Sequence, residues 1–407
     1  MRLGSLALAY ARRRPLATLL VVVLFALGTA VIVLTLILAR ELQTKLQRDA
    51  QGIDLVVGAK GSPLQLVLAG VYHVDVPPGN IPLESVAMLR ANPMIASAIP
   101  LALGDSYAGY RIVGTEPALI DHYRGAVAQG RVWTQPMEAV LGSDVARETA
   151  ISIGATFAGS HGLGATGAEH GDAQYSVVGV LAPTGTVLDR MVLTSIESVW
   201  AVHDTHQGMP MTDAPATTDK PREDPSGREV TLVLVRYIGP LAAARLPREI
   251  NQTTDLVAAS PAYETARLLS VFGVGIDVIR AFAALLIGAS ALMLFVALAQ
   301  AMDERRYDLA ILRALGANRG QVAGVLLSES LVLACAGTII GVALAHVLAA
   351  TIGAFWAPAS ALSPAAWRFI PEEGGVVAIA LGAGILAAAW PAWQAYRLDV
   401  AATLADS

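Results

Sequence analysis

The stretch Leu16–Ala39, LATLLVVVLFALGTAVIVLTLILA, runs for 24 residues without a charge. A helix needs about 20 mostly apolar residues to cross the hydrocarbon core of a bilayer. Arg12, Arg13 and Arg14 precede the run, and Arg40, Glu41 and Lys45 follow it. A secretory signal also starts basic, but its apolar region is only about 7–15 residues long and ends at a small-residue cleavage site. The run is therefore read as a retained membrane anchor. Three more apolar runs follow much later: Ala281–Ala301, Val322–Ala350 and the shorter Val376–Trp390. The composition agrees, with 55% hydrophobic and 15% charged residues against about 25% charged in soluble domains.

Orientation follows from the Lys and Arg in the short segments beside the spans, which stay cytoplasmic. Arg2 and Arg12–Arg14 lie in the N-terminal tail, and Arg305, Arg306, Arg313 and Arg319 lie between the second and third spans. The connection between the third and fourth spans sets Arg368 against Glu372 and Glu373. The expected layout is a cytoplasmic tail (1–15), a first span (16–39), an outside domain (40–275) and a second span (276–301). A cytoplasmic loop (302–321), a third span (322–350), an outer loop (351–373), a fourth span (374–392) and a cytoplasmic tail (393–407) complete it. The fold class is thus four transmembrane helices, one plus three, with a large domain inserted after the first. Both termini are thus expected in the cytoplasm and residues 40–275 outside it.

Within 40–275, ELQTKLQRDAQ continues the first helix in polar form. Val-rich runs bounded by Gly, Pro and Asp (GIDLVVGAKG, YRIVGTE, EAVLGSDVA, YSVVGVLAPTG, DRMVLTS and EVTLVLVRY) carry the strand signal. IPLESVAMLRANPMIASAIPLAL reads as a helix stopped at Asn92-Pro93, then a strand. LAAARLPREINQ and SPAYETARLLSVF are helical patterns. Interleaved helices and strands predict an α+β module. Residues 203–229, rich in Pro, Asp and Thr, cannot bury enough apolar surface to offset their ordering entropy, so a flexible loop is expected there. A second, glycine-rich loop is expected at 159–172.

The single cysteine, Cys335, rules out a disulfide framework, and the net charge of −5 gives no basic footprint for nucleic acid. Gly-Lys, which a phosphate-binding loop requires, is absent, and so are the signatures of metalloproteases, α/β-hydrolases and kinases. No catalytic constellation is expected in this chain. His161, His170, His203 and His206 fall in the two loops, where imidazoles could ligate zinc. Their spacing matches no established zinc pattern, and solvated loop histidines are the simpler reading.

Glu329 sits in the third span, about two turns past its start. A charge there is costly and should face protein or water rather than lipid. It is read either as a proton or substrate site or as a structural carboxylate bonded to neighbouring hydroxyls and backbone. Gly337 and Gly341 form a GxxxG pair that lets helices approach closely, in a compact bundle or at a dimer seam.

Between spans two and three lies ERRYDLAILRALGANRGQ, residues 304–321. Tyr307, Ile311 and Ala314/Leu315 recur at i, i+4 and i+7/i+8 on one face, with Glu304, Arg305, Asp308 and Arg313 over much of the rest. Gly316 fits the position that ends a helix, and Asn318 with Gln321 stands in capping-box register for the next one. Two readings fit: a short amphipathic helix followed by a sharp turn, or an ordinary cytoplasmic loop whose basic residues only fix topology.

This segment resembles the connection between the second and third spans of FtsX-like (MacB/LolC/LolE-type, type VII) ABC transporter permeases, with Asp308 where that family usually has glutamate. ESLVLACAGTIIGVALAH resembles the family's third span. WPAWQAYRLDVAATLAD resembles its C-terminal tail, although Val400 replaces a frequent proline. RIVGTEPALIDHYRGAVAQGRVW, EAVLGSDVARE and YSVVGVLAPTG resemble its periplasmic core module. The resemblance implies a non-catalytic permease subunit working with a cytoplasmic ABC ATPase dimer, which itself binds ATP and Mg. It also implies the bacterial inner membrane as host, with residues 40–275 in the periplasm, a second permease protomer, identical or paralogous, surrounding membrane lipid, and a periplasmic lipoprotein or adaptor. Cargo would be a lipoprotein, a peptide or metal-related, moved by transmitted mechanical force. Residues 304–316 would be the coupling helix, carried by Glu304, Arg305, Arg306, Tyr307, Asp308, Ile311, Leu312, Arg313, Leu315 and Gly316. The alternative within the family is a regulator that activates a cell-wall hydrolase and transports nothing.

Overall fold

The computed structural model describes residues 15–161, 169–206, 227–356 and 367–398. The chain divides into two compact units, one of residues 43–270 and one of residues 1–42 and 271–407.

The 43–270 unit contains strands β1 (Leu55–Ala59), β2 (Ile81–Pro82), β3 (Ile95–Tyr107), β4 (Tyr110–Thr115), β5 (Val127–Gly130) and β6 (Glu138–Leu141). They are followed by β7 (Thr156–His161), β8 (Glu169–Leu181), β9 (Met191–Thr194), β10 (Glu229–Val230), β11 (Leu232–Tyr237) and β12 (Leu256–Ala259). Ten of these make one sheet in the order β12-β1-β11-β3-β4-β9-β6-β8-β5, with β7 against β3 and β8, while β2 pairs with β10. β4–β9 and β6–β8 are parallel; β1, β11 and β3 pair antiparallel. The Val-rich strands are buried on both faces. Val56, Leu101, Leu103, Leu232 and Leu234 pack into one cluster, while Leu55, Val57, Ala102, Val233 and Val235 pack into another. Side chains alternate across a strand with period 2, so two covered faces turn every position of such a run apolar.

Helices cover the sheet. Pro240–Thr253 starts with proline at its first turn and buries Ala242, Leu246 and Ile250, one every four residues. Glu84–Ala91 ends at Asn92, before Pro93 and the strand. The expected α+β domain is therefore present, and the structure adds to the sequence reading. EAVLGSDVA is a strand only to Leu141, and from Ser143 to Thr149 it is a helix. The region expected as a loop from 203 begins inside the helix Ile196–His206 and ends in β10. The glycine-rich 159–172 segment is bordered by β7 and β8, and 162–168 and 207–226 lie outside the described residues.

The second unit is built on four helices long and apolar enough to cross a membrane: Pro15–Asp49, Pro261–Ala314, Arg319–Trp356 and Pro371–Tyr396. Each outruns its hydrophobic core. The second runs without interruption from the SPAYETARLLSVF pattern through the apolar span to Ala314, so the 302–315 segment is the last turns of that helix and not a separate short one. Nothing in 301–304 (Ala-Met-Asp-Glu) breaks a helix, which explains the continuity.

Glycines set the closest approaches in this bundle. A Cβ on Gly337 would lie 2.5 Å from Phe25 Cβ, and one on Gly341 would lie 2.5 Å from Ala26 O and 2.8 Å from Thr29 Cβ. The GxxxG face therefore packs on the first helix of the same chain. Val21, Phe25, Ile287, Leu294, Leu333, Ala380 and Ala388 fill the shared core. Ser330 Oγ donates to Gly384 O at 2.5 Å, linking the third helix to the fourth.

Candidate functional site

The end of the second helix, residues 302–316, carries two faces. Met302, Leu309 and Ala310 are buried in the bundle core. On the other side Tyr307, Ile311 and Leu315 are 49%, 37% and 79% exposed, an apolar stripe at i, i+4 and i+8. Glu304, Arg306 and Asp308 are exposed beside it, and Arg306 Nη2 lies 3.1 Å from Asp303 Oδ1.

The helix stops by a local device. Gly316 adopts φ +103°, which costs glycine little because it has no Cβ. Its N–H donates to Arg313 O at 3.0 Å, and the Ala317 N–H donates to Leu312 O at 3.0 Å. These are the paired bonds of a Schellman motif. Asn318 then caps the third helix: Gln321 N–H donates to Asn318 Oδ1 at 2.8 Å, and Asn318 N–H donates to Gln321 Oε1 at 2.9 Å. Both devices match the sequence expectation, and together they present Leu315 at an abrupt corner.

Not every residue expected to serve a partner faces outward. Arg305 Nη1 lies 3.1 Å from Glu329 Oε2, and the two side chains are only 12% and 9% exposed. This pair joins the second helix to the third and accounts for Glu329, whose partner is an arginine rather than neighbouring hydroxyls. A cavity of ≈ 30 Å³ adjoins it, lined by Ala17, Thr18, Val21, Leu294 and Leu298 among others, with room for about one or two waters. Leu312 packs against the core. Arg313 Nη1 donates to Leu398 O at 2.6 Å, holding the chain that leaves the fourth helix. The outward set is thus Glu304, Arg306, Tyr307, Asp308, Ile311 and Leu315.

Two further polar contacts at the opposite ends of these helices carried no sequence signal. His346 Nε2 lies 3.2 Å from Glu373 Oε2, both side chains being buried, and Glu373 Oε1 also accepts from Ile370 N–H at 3.1 Å. Arg40 Nη1 donates to both oxygens of Glu372 at 2.7 Å. These partners stand 27 and 332 positions apart, so only the folded bundle reveals them. Among the described residues no group of three or more His, Cys, Asp or Glu could hold a metal ion. The side chains of His161, His170, His203 and His206 lie outside the described residues.

Comparison with known proteins matches two family models. Residues 18–253, more than half of the chain, match the MacB-like periplasmic core domain, and residues 280–400 match the FtsX-like permease C-terminal model. Among curated proteins none matches. Two solved structures are similar at low identity. The periplasmic region of MacB from Actinobacillus actinomycetemcomitans is 12% identical, covering 55% of this chain and 97% of its own, with a TM-score of 0.34. The extracellular domain of the noncanonic ABC-type transporter YknZ from Gram-positive bacteria is 14% identical, covering 51% and 98%, with a TM-score of 0.30. The family assignment rests on the two models, which between them take in the first helix, the inserted domain and the three later helices. The chain belongs to the FtsX-like permeases of ABC transporters that carry a MacB-like periplasmic core domain.

Proposed function

We propose that this chain is the permease subunit through which a separate cytoplasmic ABC ATPase moves a periplasmic domain. The observation that carries the reading is the exposed stripe Tyr307–Ile311–Leu315, flanked by Glu304, Arg306 and Asp308 and ended by the Schellman turn at Gly316. Such a stripe on the charged end of a membrane helix suits a protein partner: a small apolar anchor ringed by charges that fix register. The basic residues Arg305, Arg306, Arg313 and Arg319 favour a cytoplasmic position for it, which puts residues 43–270 in the periplasm and both termini in the cytoplasm. ATP binding by the partner would pull on the 302–316 corner. The second helix runs unbroken from Pro261 to Ala314 and is the segment that would carry the pull toward the domain.

The assembly pairs two permease protomers, identical or paralogous, on an ATPase dimer. The cargo is a lipoprotein, a peptide or metal-related substrate delivered by a periplasmic partner. The test replaces Ile311 and Leu315 with aspartate in the full chain. The protein should insert in normal amount yet lose co-purification with its ATPase. Undiminished co-purification would exclude this corner as the docking site.

A further inference from the structure

We infer that the Tyr72 hydroxyl ties together the two helical segments by which the chain enters and leaves the 43–270 domain, residues 43–49 and 261–270, so that they move as one body. The inference rests on the force-transmission reading above and adds the element that would keep the two segments from sliding past each other.

Tyr72 is 8% exposed and follows the helix Pro63–Gly70, which belongs to the domain and to neither segment. Its hydroxyl lies 2.7 Å from Thr265 Oγ1 on the leaving segment and 3.4 Å from Leu46 O on the entering one. A phenol has one proton, and the Leu46 carbonyl can only accept. Tyr72 therefore donates to Leu46, and Thr265 donates to the Tyr72 oxygen. Burial pushes the phenol above its ordinary value, so the proton this arrangement needs is held throughout the neutral range.

The two segments are gripped unequally. The entering one has further anchors: Tyr123 Oη donates to Asp49 O at 2.9 Å, and Val187 N–H donates to Asp49 Oδ1 at 2.8 Å. On the leaving one, among the described residues, Thr265 is the one side chain that hydrogen-bonds outside its own helix. Tyr263 is 67% exposed, and Arg267 lies 3.9 Å from Glu264 within the same helix. Loss of a single hydroxyl would remove the leaving segment's side-chain hydrogen bond to the rest of the domain while the apolar ring of Tyr72 still fills its place in the core.

The test uses the full chain in lipid nanodiscs with Cys335→Ala and spin labels on Gln43→Cys and Ser270→Cys, both exposed sites. The intact protein should give one narrow interlabel distance, the same with and without vanadate-trapped ATP on the co-purified ATPase. Tyr72→Phe, and independently Thr265→Val, should lose that narrow component and make the distance nucleotide-dependent. Narrow, unchanged distances in both variants would overturn the inference. If no ATPase co-purifies, the transport reading fails separately, and the nucleotide-free distributions still decide the tie.

Discussion

Asp49 offers a quantitative probe of how the domain holds the first helix. It is the last residue of that helix, lies in the 43–270 unit and is 3% exposed. Burial pushes its carboxyl up to about 6, against the opposing pull of Lys45 and of the Val187 N–H bond. The folded value is above the unfolded one, near 3.8. The group therefore contributes stability below about pH 4, and that contribution is lost as pH rises through 6. The shift of about two units corresponds to roughly 3 kcal/mol at neutral pH. Asp49→Asn keeps an oxygen to accept the Val187 N–H and abolishes the buried charge. It also strips Lys45 of its anionic neighbour, so a net stabilisation of about 1–3 kcal/mol is expected at pH 7.5. Near pH 4 the advantage should shrink to about 0.5 kcal/mol, because the wild-type carboxyl is then protonated in the fold. Denaturant unfolding of the full chain in micelles, followed by tryptophan fluorescence at both pH values, reads this difference. A variant less stable at pH 7.5, or an advantage that does not change with pH, would refute the reasoning.

Other consequences follow from the helix bundle. Arg305→Ala or Glu329→Ala leaves the remaining buried charge without its partner and should cost about 3–5 kcal/mol, while the double Leu variant should recover most of it; thermal unfolding in detergent tests this. Gly341→Ala places a methyl against Ala26 O and Thr29 and should cost about 1–3 kcal/mol. Gly288→Ala, where nothing lies within 4 Å, should be neutral or slightly stabilising in the same assay. Equal effects at the two glycines would contradict the packing described. For the docking corner, Ile311→Asp alone should already weaken ATPase capture in pull-downs, whereas Gly288→Ala, within the apolar span and far along the helix from the stripe, should not.

Much of this protein is legible along the chain because its determinants are local. Apolar run length decides what crosses a bilayer, and the glycine at 316 and the Asn318/Gln321 pair end one helix and begin the next with their own atoms. The Val-rich strands and the α+β class follow from period and turn residues. The resemblance in 304–321 likewise lies in contiguous residues. Other features depended on distance. Arg305 looks in sequence like a coupling residue equal to Arg306, since a helix of charged residues does not say which one turns inward. Only the third helix, carrying Glu329, decides that. The same holds for the Gly337/Gly341 face: a GxxxG pair suits a bundle and a dimer seam alike, and here the first helix of the same chain fills it. Tyr72, Leu46 and Thr265 meet across 26 and 193 positions, and no local pattern encodes such a meeting. Hydrogen bonds and ion pairs act over a few ångströms of space, and tertiary folding alone brings those residues within that range.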